Sequence, residues 1–366
     1  MRSVSIQRLS GILLLGVALM VLAVPAAQAQ PFNTWLQLQG YPTSGYLEIP
    51  SSPALNPTAG FTFEAWVNVT ITSGSCVSIA GKNWHKSWWI GACLTGGKQV
   101  LRSYVRGFSG SGEGPGTFHD AGEIQPGKWT HVAVVFNGTT RLHYINGEFA
   151  GSWPEPGPLT TSPDPVRFGS DVNYTNTPQG GIDEVHLWSV GRTLAQIRAD
   201  LAAPITSAQP GLISVWPLDA TGTDIIGGHS GVGVGSGVSV GNFPVMASCG
   251  SSTVSQLCLQ NRFLITTAWR TGPVGTAPNG DGSVVVAGAN SGIFWFFSSD
   301  NWEVMVKALN GCALNSHYWI YSAATTNVYY RMDVLDVRSG QQKIYFNYPG
   351  PPAPAVTDSN AFGTCP

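Results

Sequence analysis

From Trp35 onward the alternation of apolar and polar positions predicts strands almost throughout the chain. "FTFEAWVNVT" sets Phe61, Phe63, Ala65 and Val67 on one face and Thr62, Glu64, Trp66 and Asn68 on the other. "KWTHVAVVF" is apolar on both faces from Val132 to Phe136, the mark of a strand covered on two sides. In "RLHYINGEFAGSW", Asn146-Gly147 separates two strand-like runs, and both turn positions of such a hairpin need positive φ. Only "RTLAQIRADL" has helical spacing, with Leu194, Ile197 and Leu201 on one side. "GGHSGVGVGSGVSVG" (227–241) lacks the Lys-Ser/Thr of a phosphate loop and reads as a glycine-rich strand or connector. Beyond a boundary near Val245 to Ser248 the pattern changes. "NRFLITTAWR", "SGIFWFFSS", "WEVMVKAL" and "HYWIYSAATTNVYYRMDVLDVRSGQQKIYFN" all predict strands, the last folded at Arg338-Ser339-Gly340-Gln341, and none predicts a helix. The expectation is an all-β chain of two domains, residues 30–247 and a smaller unit over 248–366.

The ends and the composition bound the setting. Arg2 and Arg8 precede an apolar run from Gly11 to Val24, and Pro25-Ala26-Ala27-Gln28-Ala29 then supplies an A-x-A site. This predicts a secretory signal peptide over residues 1–29 and a secreted or cell-surface protein with no membrane span in the mature chain. Only 10% of residues are charged, the net charge is −2 and no basic cluster occurs, which argues against a nucleic-acid partner. The six cysteines lack the paired spacing of a zinc site, and their even number in an exported chain predicts disulfides. Cys76–Cys93 is expected across a hairpin, Cys249–Cys258 as a local loop and Cys312–Cys365 at the C-terminus. The last two pairings remain exchangeable, because spacing does not fix connectivity.

"YLEIPSSPALNPTAGFTFEAWVNV", "IQPGKWTHVAVVFNGTTRLHYINGEFAG", "VRFGSD" and "GGIDEVHLWSVGRTLAQI" follow one another in an order that resembles the laminin-G-like, concanavalin-A-like lectin and glucanase superfamily. The resemblance implies an antiparallel jelly-roll β-sandwich with two sheets of six or seven strands. "PGLISVWPLDATGTDIIGGHSGVGVG" looks like the companion stretch that adds outer strands. "LCLQNRFLITTAW" and the strand run after it resemble a recurrent C-terminal β domain of secreted bacterial proteins, which implies a second β-sandwich and no particular chemistry.

Three candidate chemistries remain. Retaining glucanases of the resembled superfamily place acids on alternate positions of one strand, and retention needs two carboxylates roughly 5–5.5 Å apart. Here those positions hold Gly181, Asp183 and Val185, while Glu184 points to the opposite face, so no catalytic pair and no enzyme is expected. Asp183, sharing a face with Val185 and Leu187, is expected to turn into the core. There it either latches the strand by accepting backbone N–H groups or, as the resemblance implies, gives one arm of a calcium site that main-chain oxygens complete. Finally, "AGKNWHKSWWIGACL" gathers Trp84, His85 and Trp88, and since Trp88 and Trp89 face opposite ways, one is expected to be an exposed platform for a sugar ring. The resulting expectation is a non-catalytic protein that recognises an extracellular glycan, or a protein ligand, through its first domain. The alternative is a structural, envelope-attached protein that mediates protein–protein contacts.

Overall fold

The computed structural model describes residues 27–28, 33–105, 118–173, 175–350 and 353–366. Apart from Ala27–Gln28, the expected leader lies outside the described residues. Among these residues no helix is long and apolar enough to cross a membrane.

The first domain is a sandwich of two antiparallel sheets. One runs in the order Glu148–Pro154, Thr140–Ile145, Thr130–Phe136, Phe61–Thr70, Gln179–Trp188, Thr34–Gln39 and Val238–Asn242, with Leu212–Trp216 beside Gln179–Trp188. The other runs Val232–Val234, Tyr46–Ile49, Val166–Phe168, Cys76–Gly81, Trp89–Thr95, Lys98–Tyr104 and His119–Glu123. The sheets have eight and seven strands because the two strands of the glycine-rich segment each join a different sheet as an edge strand. Phe61, Phe63, Ala65, Val67, Val132, Val134 and Phe136 fill the space between the sheets with Val77, Ile79, Ile90 and Leu101. The Asn146-Gly147 turn adopts φ of 51° and 70°, the left-handed pair that its hairpin requires.

The outer face of the eight-stranded sheet is also closed, which explains why the Phe61–Thr70 strand is buried on both sides. Helix Leu194–Ala202 starts on a capping box between Thr193 and Gln196 and lays Ile197 over Ala133, Val135 and Tyr144. The second domain covers the rest. Trp35, Trp66, Trp129 and Leu201 of the first domain pack with Tyr329, Ile344 and Phe346 of the second. Arg198 lies over the Tyr348 ring at 3.6 Å and donates to the Gly147 carbonyl, Arg270 pairs with Glu148, and Arg331 donates to the Trp129 carbonyl.

The second domain packs a sheet of Leu257–Leu259, Phe263–Arg270, Tyr329–Asp336 and Gln341–Asn347, with Asn279–Asp281 and Ala27–Gln28 at its margins, against a five-stranded sheet. It also contains one helical turn, Cys312–Asn315, where none was expected; four residues are too few to show a helical period. Disulfides join Cys76 to Cys93, Cys249 to Cys258 and Cys312 to Cys365.

Candidate functional site

Strand alternation on the seven-stranded sheet sends Val77, Ile90, Ala92 and Leu101 inward and Cys76, Trp89, Cys93, Arg102 and Tyr104 outward. The outward set builds a cleft of about 210 Å³ lined by Ser75, Cys76, Trp84, Trp89, Arg102 and Tyr104. Trp89 lies across Gly91, where a Cβ would come within 2.2 Å of the indole, and donates from Nε1 to Ser78 Oγ at 2.8 Å. Tyr104 meets Trp84 and Trp89 edge to face at 5.6 and 5.9 Å. Arg102 forms a two-pronged pair with Asp120, at 2.6 and 2.7 Å, while its guanidinium carbon sits 3.9 Å from the exposed Phe118 ring. Burial raises the Asp120 carboxyl, but hydrogen bonds from Arg102 and Thr95 outweigh it and hold the group below its ordinary range.

Trp84 projects from a tight turn that a buried carboxylate organises. Asp171 accepts the backbone N–H groups of Asn83, Trp84 and Asn173 at 2.7, 3.3 and 2.9 Å. Asn83, at φ 105°, accepts from the His85 N–H through its side chain and donates to Asp164. Lys82, fully buried, donates to the Asp164 carbonyl and Ser51 Oγ. The aspartate of "VRFGSD" therefore sets the pose of an aromatic that lies far away in sequence.

Of the three aromatic candidates, Trp84 alone lines the cleft. His85 rests against it at 4.3 Å, outside the lining. The expectation that Trp88 is an exposed platform is corrected. Trp88 is 2% exposed and packs between the sheets at 5.4 and 6.0 Å from the Phe61 and Phe63 rings. Trp89 does face outward but is only 3% exposed, because Tyr104 and Trp84 cover it. Arg102, Tyr104 and Asp120 were not anticipated. The Cys76–Cys93 hairpin could have located the first two, since Arg102 and Tyr104 lie on the next strand in register with Gly91 and Trp89.

The orientation of Asp183 is also corrected. A β-bulge sets Glu184 and Val185 together opposite Ala65, with Glu184 at φ 47°. The added residue reverses the alternation, so Ile182, Val185 and Leu187 enter the core while Asp183 joins Trp66 on the outer face. Asp183 is nevertheless 3% exposed, because that face is covered. The expected strand latch is not made through Oδ1, which has no hydrogen-bond partner among the described residues, and the Glu184 N–H donates to the Pro217 carbonyl at 3.4 Å. Burial, then the charges of Glu184 and Asp219, push the carboxyl far above its ordinary range. Calcium needs six to eight oxygens. Among the described residues no group of three His, Cys, Asp or Glu side chains gathers to hold a metal.

A polar network supports the cleft from beneath. His143 Nε2 and Ser103 Oγ lie 2.6 Å apart, Arg141 donates to the Ser103 carbonyl at 2.6 Å, and Glu155 pairs with Arg141 at 2.7 Å. Burial, then the Arg141 charge, lower His143 to about 3. The folded state thus holds it neutral while the unfolded chain takes up its proton near pH 6.5, so its stability contribution is complete above that pH and falls as pH drops toward 3. Thermal melts from pH 8 to 4 are expected to show His143→Gln losing less stability on acidification than the wild type, by roughly 1.4 kcal/mol per pH unit below 6.5.

Residues 41–198 match the concanavalin A-like lectin/glucanases superfamily. Among solved structures, the chain is similar to a Bacteroides ovatus protein assigned as a carbohydrate binding protein, at 18% identity over 57% of this chain and 60% of that one (TM-score 0.46). The chain therefore spans less than two thirds of that protein. It is also similar to the SAP-like pentraxin of Limulus polyphemus (14% identity, 57% of this chain and 94% of that one, TM-score 0.41). A third similar structure is the CBM40 of the Ruminococcus gnavus IT-sialidase bound to alpha2,3 sialyllactose (13% identity, 48% and 97%, TM-score 0.35). No curated protein sequence matches the chain significantly.

Proposed function

We propose that this concanavalin A-like domain binds an extracellular glycan in the Trp84–Tyr104–Arg102 cleft, and that the protein is a secreted or surface-displayed binding protein without catalysis. The observation that carries the reading is the cleft itself. Its indole and phenol walls suit the C–H faces of a sugar ring, and Arg102 and Ser75 offer hydrogen bonds at the rim to ring hydroxyls. Its position adds support, since it lies on the outer face of the seven-stranded sheet, whereas the other sheet is covered by the second domain. Absence of catalysis is supported by the acids. Asp120 is engaged by Arg102, and Asp183 is buried and is not among the residues that line the cleft.

Affinity electrophoresis through gels of β-glucan, xylan, arabinan, galactomannan and dextran tests the reading. At least one polymer is expected to retard the wild type with no release of reducing ends. Trp84→Ala is expected to weaken that retardation about thirtyfold, the loss of an interface anchor worth about 2 kcal/mol, while its melting curve stays close to that of the wild type. Retardation by none of the polymers, or equal retardation of the variant, would count against the cleft.

One observation favours a second reading, contact with another protein: Phe297, Trp302 and Met305, on neighbouring strands of the second domain, are 46, 50 and 40% exposed. A partner lost on Trp302→Ser, with no glycan bound by the wild type, would support it.

A further inference from the structure

The His119–Glu123 strand is bordered by two clefts. At Asp120 it holds Arg102 in the glycan cleft. Its last residue, Glu123, and the turn that follows form one wall of a second cleft of about 420 Å³ between the two domains. Trp269, Asn279 and Tyr329 of the second domain contribute to the opposite wall. From Asp120 to Glu123 the strand advances three residues, about 10 Å at the usual rise.

The chemistry of the second cleft is close to neutral. Its charged groups are already matched: Arg270 with Glu148, Arg331 with Asp333 at 2.5 Å, Lys128 with Asp281 at 3.4 Å and Glu123 with Lys98 at 2.9 Å. An ionic ligand would have to compete with these pairs. The remaining polar groups are amides beside the Trp269 indole: Gln125, the Nδ2 of Asn146, whose Oδ1 accepts from the His131 N–H, and the Oδ1 of Asn279, whose Nδ2 donates to the Thr276 carbonyl. The walls are also held in place, since the Arg270–Glu148 pair and the bond from Arg331 to the Trp129 carbonyl both cross the domain boundary next to the cleft. A fixed, neutral, hydrogen-bonding groove with an aromatic wall suits an uncharged polyhydroxyl chain.

We infer that the two clefts are subsites of one tract for a linear, uncharged polysaccharide, which crosses the His119–Glu123 strand and enters the groove between the domains. The inference rests on the glycan reading of the first cleft and deepens it. The ligand is an internal stretch of a chain rather than a terminal sugar, and the second domain takes part in binding it.

The test uses the full chain, whichever of the five polymers is retained, and fragments of graded length cut from that polymer, with affinity read by titration calorimetry. Affinity is expected to rise with fragment length until both clefts are filled. Gln125→Ala combined with Asn279→Ala changes two exposed side chains. That double variant is expected to bind the polymer about tenfold more weakly and the shortest fragment as the wild type does. Trp84→Ala should weaken both. If the double variant binds polymer and short fragment like the wild type while Trp84→Ala loses both, the tract is wrong and the first cleft stands. Equal loss of both ligands in the double variant would also overturn the tract, since the second cleft would then not be a separate subsite. If no polymer binds, or Trp84→Ala changes nothing, both readings fall.

Discussion

Trp88→Ala is expected to destabilise the protein by about 3–5 kcal/mol while the fraction that remains folded binds glycan like the wild type. The side chain is almost wholly enclosed between the sheets, against Phe61 and Phe63, so its removal loses apolar burial and leaves a void that a two-sheet core cannot close. Trp84→Ala should do the reverse, because Trp84 is half-buried on the outer face and belongs to the cleft. Denaturant melts paired with affinity electrophoresis check both. A Trp88→Ala protein that is as stable as the wild type but no longer binds would return Trp88 to the ligand site.

Arg331→Ala is expected to cost a similar amount, about 3–5 kcal/mol, and to separate the unfolding of the two domains. Arg331 is buried at the domain boundary, bonded to both oxygens of Asp333 at 2.5 and 2.7 Å and to the Trp129 carbonyl of the other domain. Removing the guanidinium takes from Asp333 its two-pronged partner in a place with little access to water, and it cuts one of the polar links between the domains. The wild type, whose Trp35, Trp66 and Trp129 are packed on Tyr329, Ile344 and Phe346, should melt in one transition. Calorimetry of the variant should show a first-domain transition displaced from that of the second. Two separate transitions already present in the wild type would mean that the shared aromatic cluster does not couple the domains.

Much of the fold could be read from the pattern of residues, because most strands carry their own signal. "KWTHVAVVF" announced burial on both faces, Asn146-Gly147 announced its turn, and the helix after Arg192 showed its period. What could not be read depends on contacts between distant segments. The bulge at Glu184 places a non-glycine residue at φ 47°, with no glycine or asparagine there to signal it, and that one inserted residue reverses the face of Asp183. The outer face of the eight-stranded sheet looked polar in Thr62, Glu64 and His186, yet all three are buried because the helix and the second domain close over them. The candidate site was half legible. Trp84 stood out by composition, whereas Arg102, Asp120 and the supporting Asp171 become neighbours only through strand pairing and the loop after Val166–Phe168.

The most direct measurement is a crystal structure of the full chain with an oligosaccharide cut from the polymer that retards it. The account predicts a sugar ring against Trp84 and Tyr104 with a hydroxyl within hydrogen-bonding distance of Arg102. Sugar bound elsewhere, for instance over Trp302, with the Trp84–Tyr104 cleft empty, would contradict it.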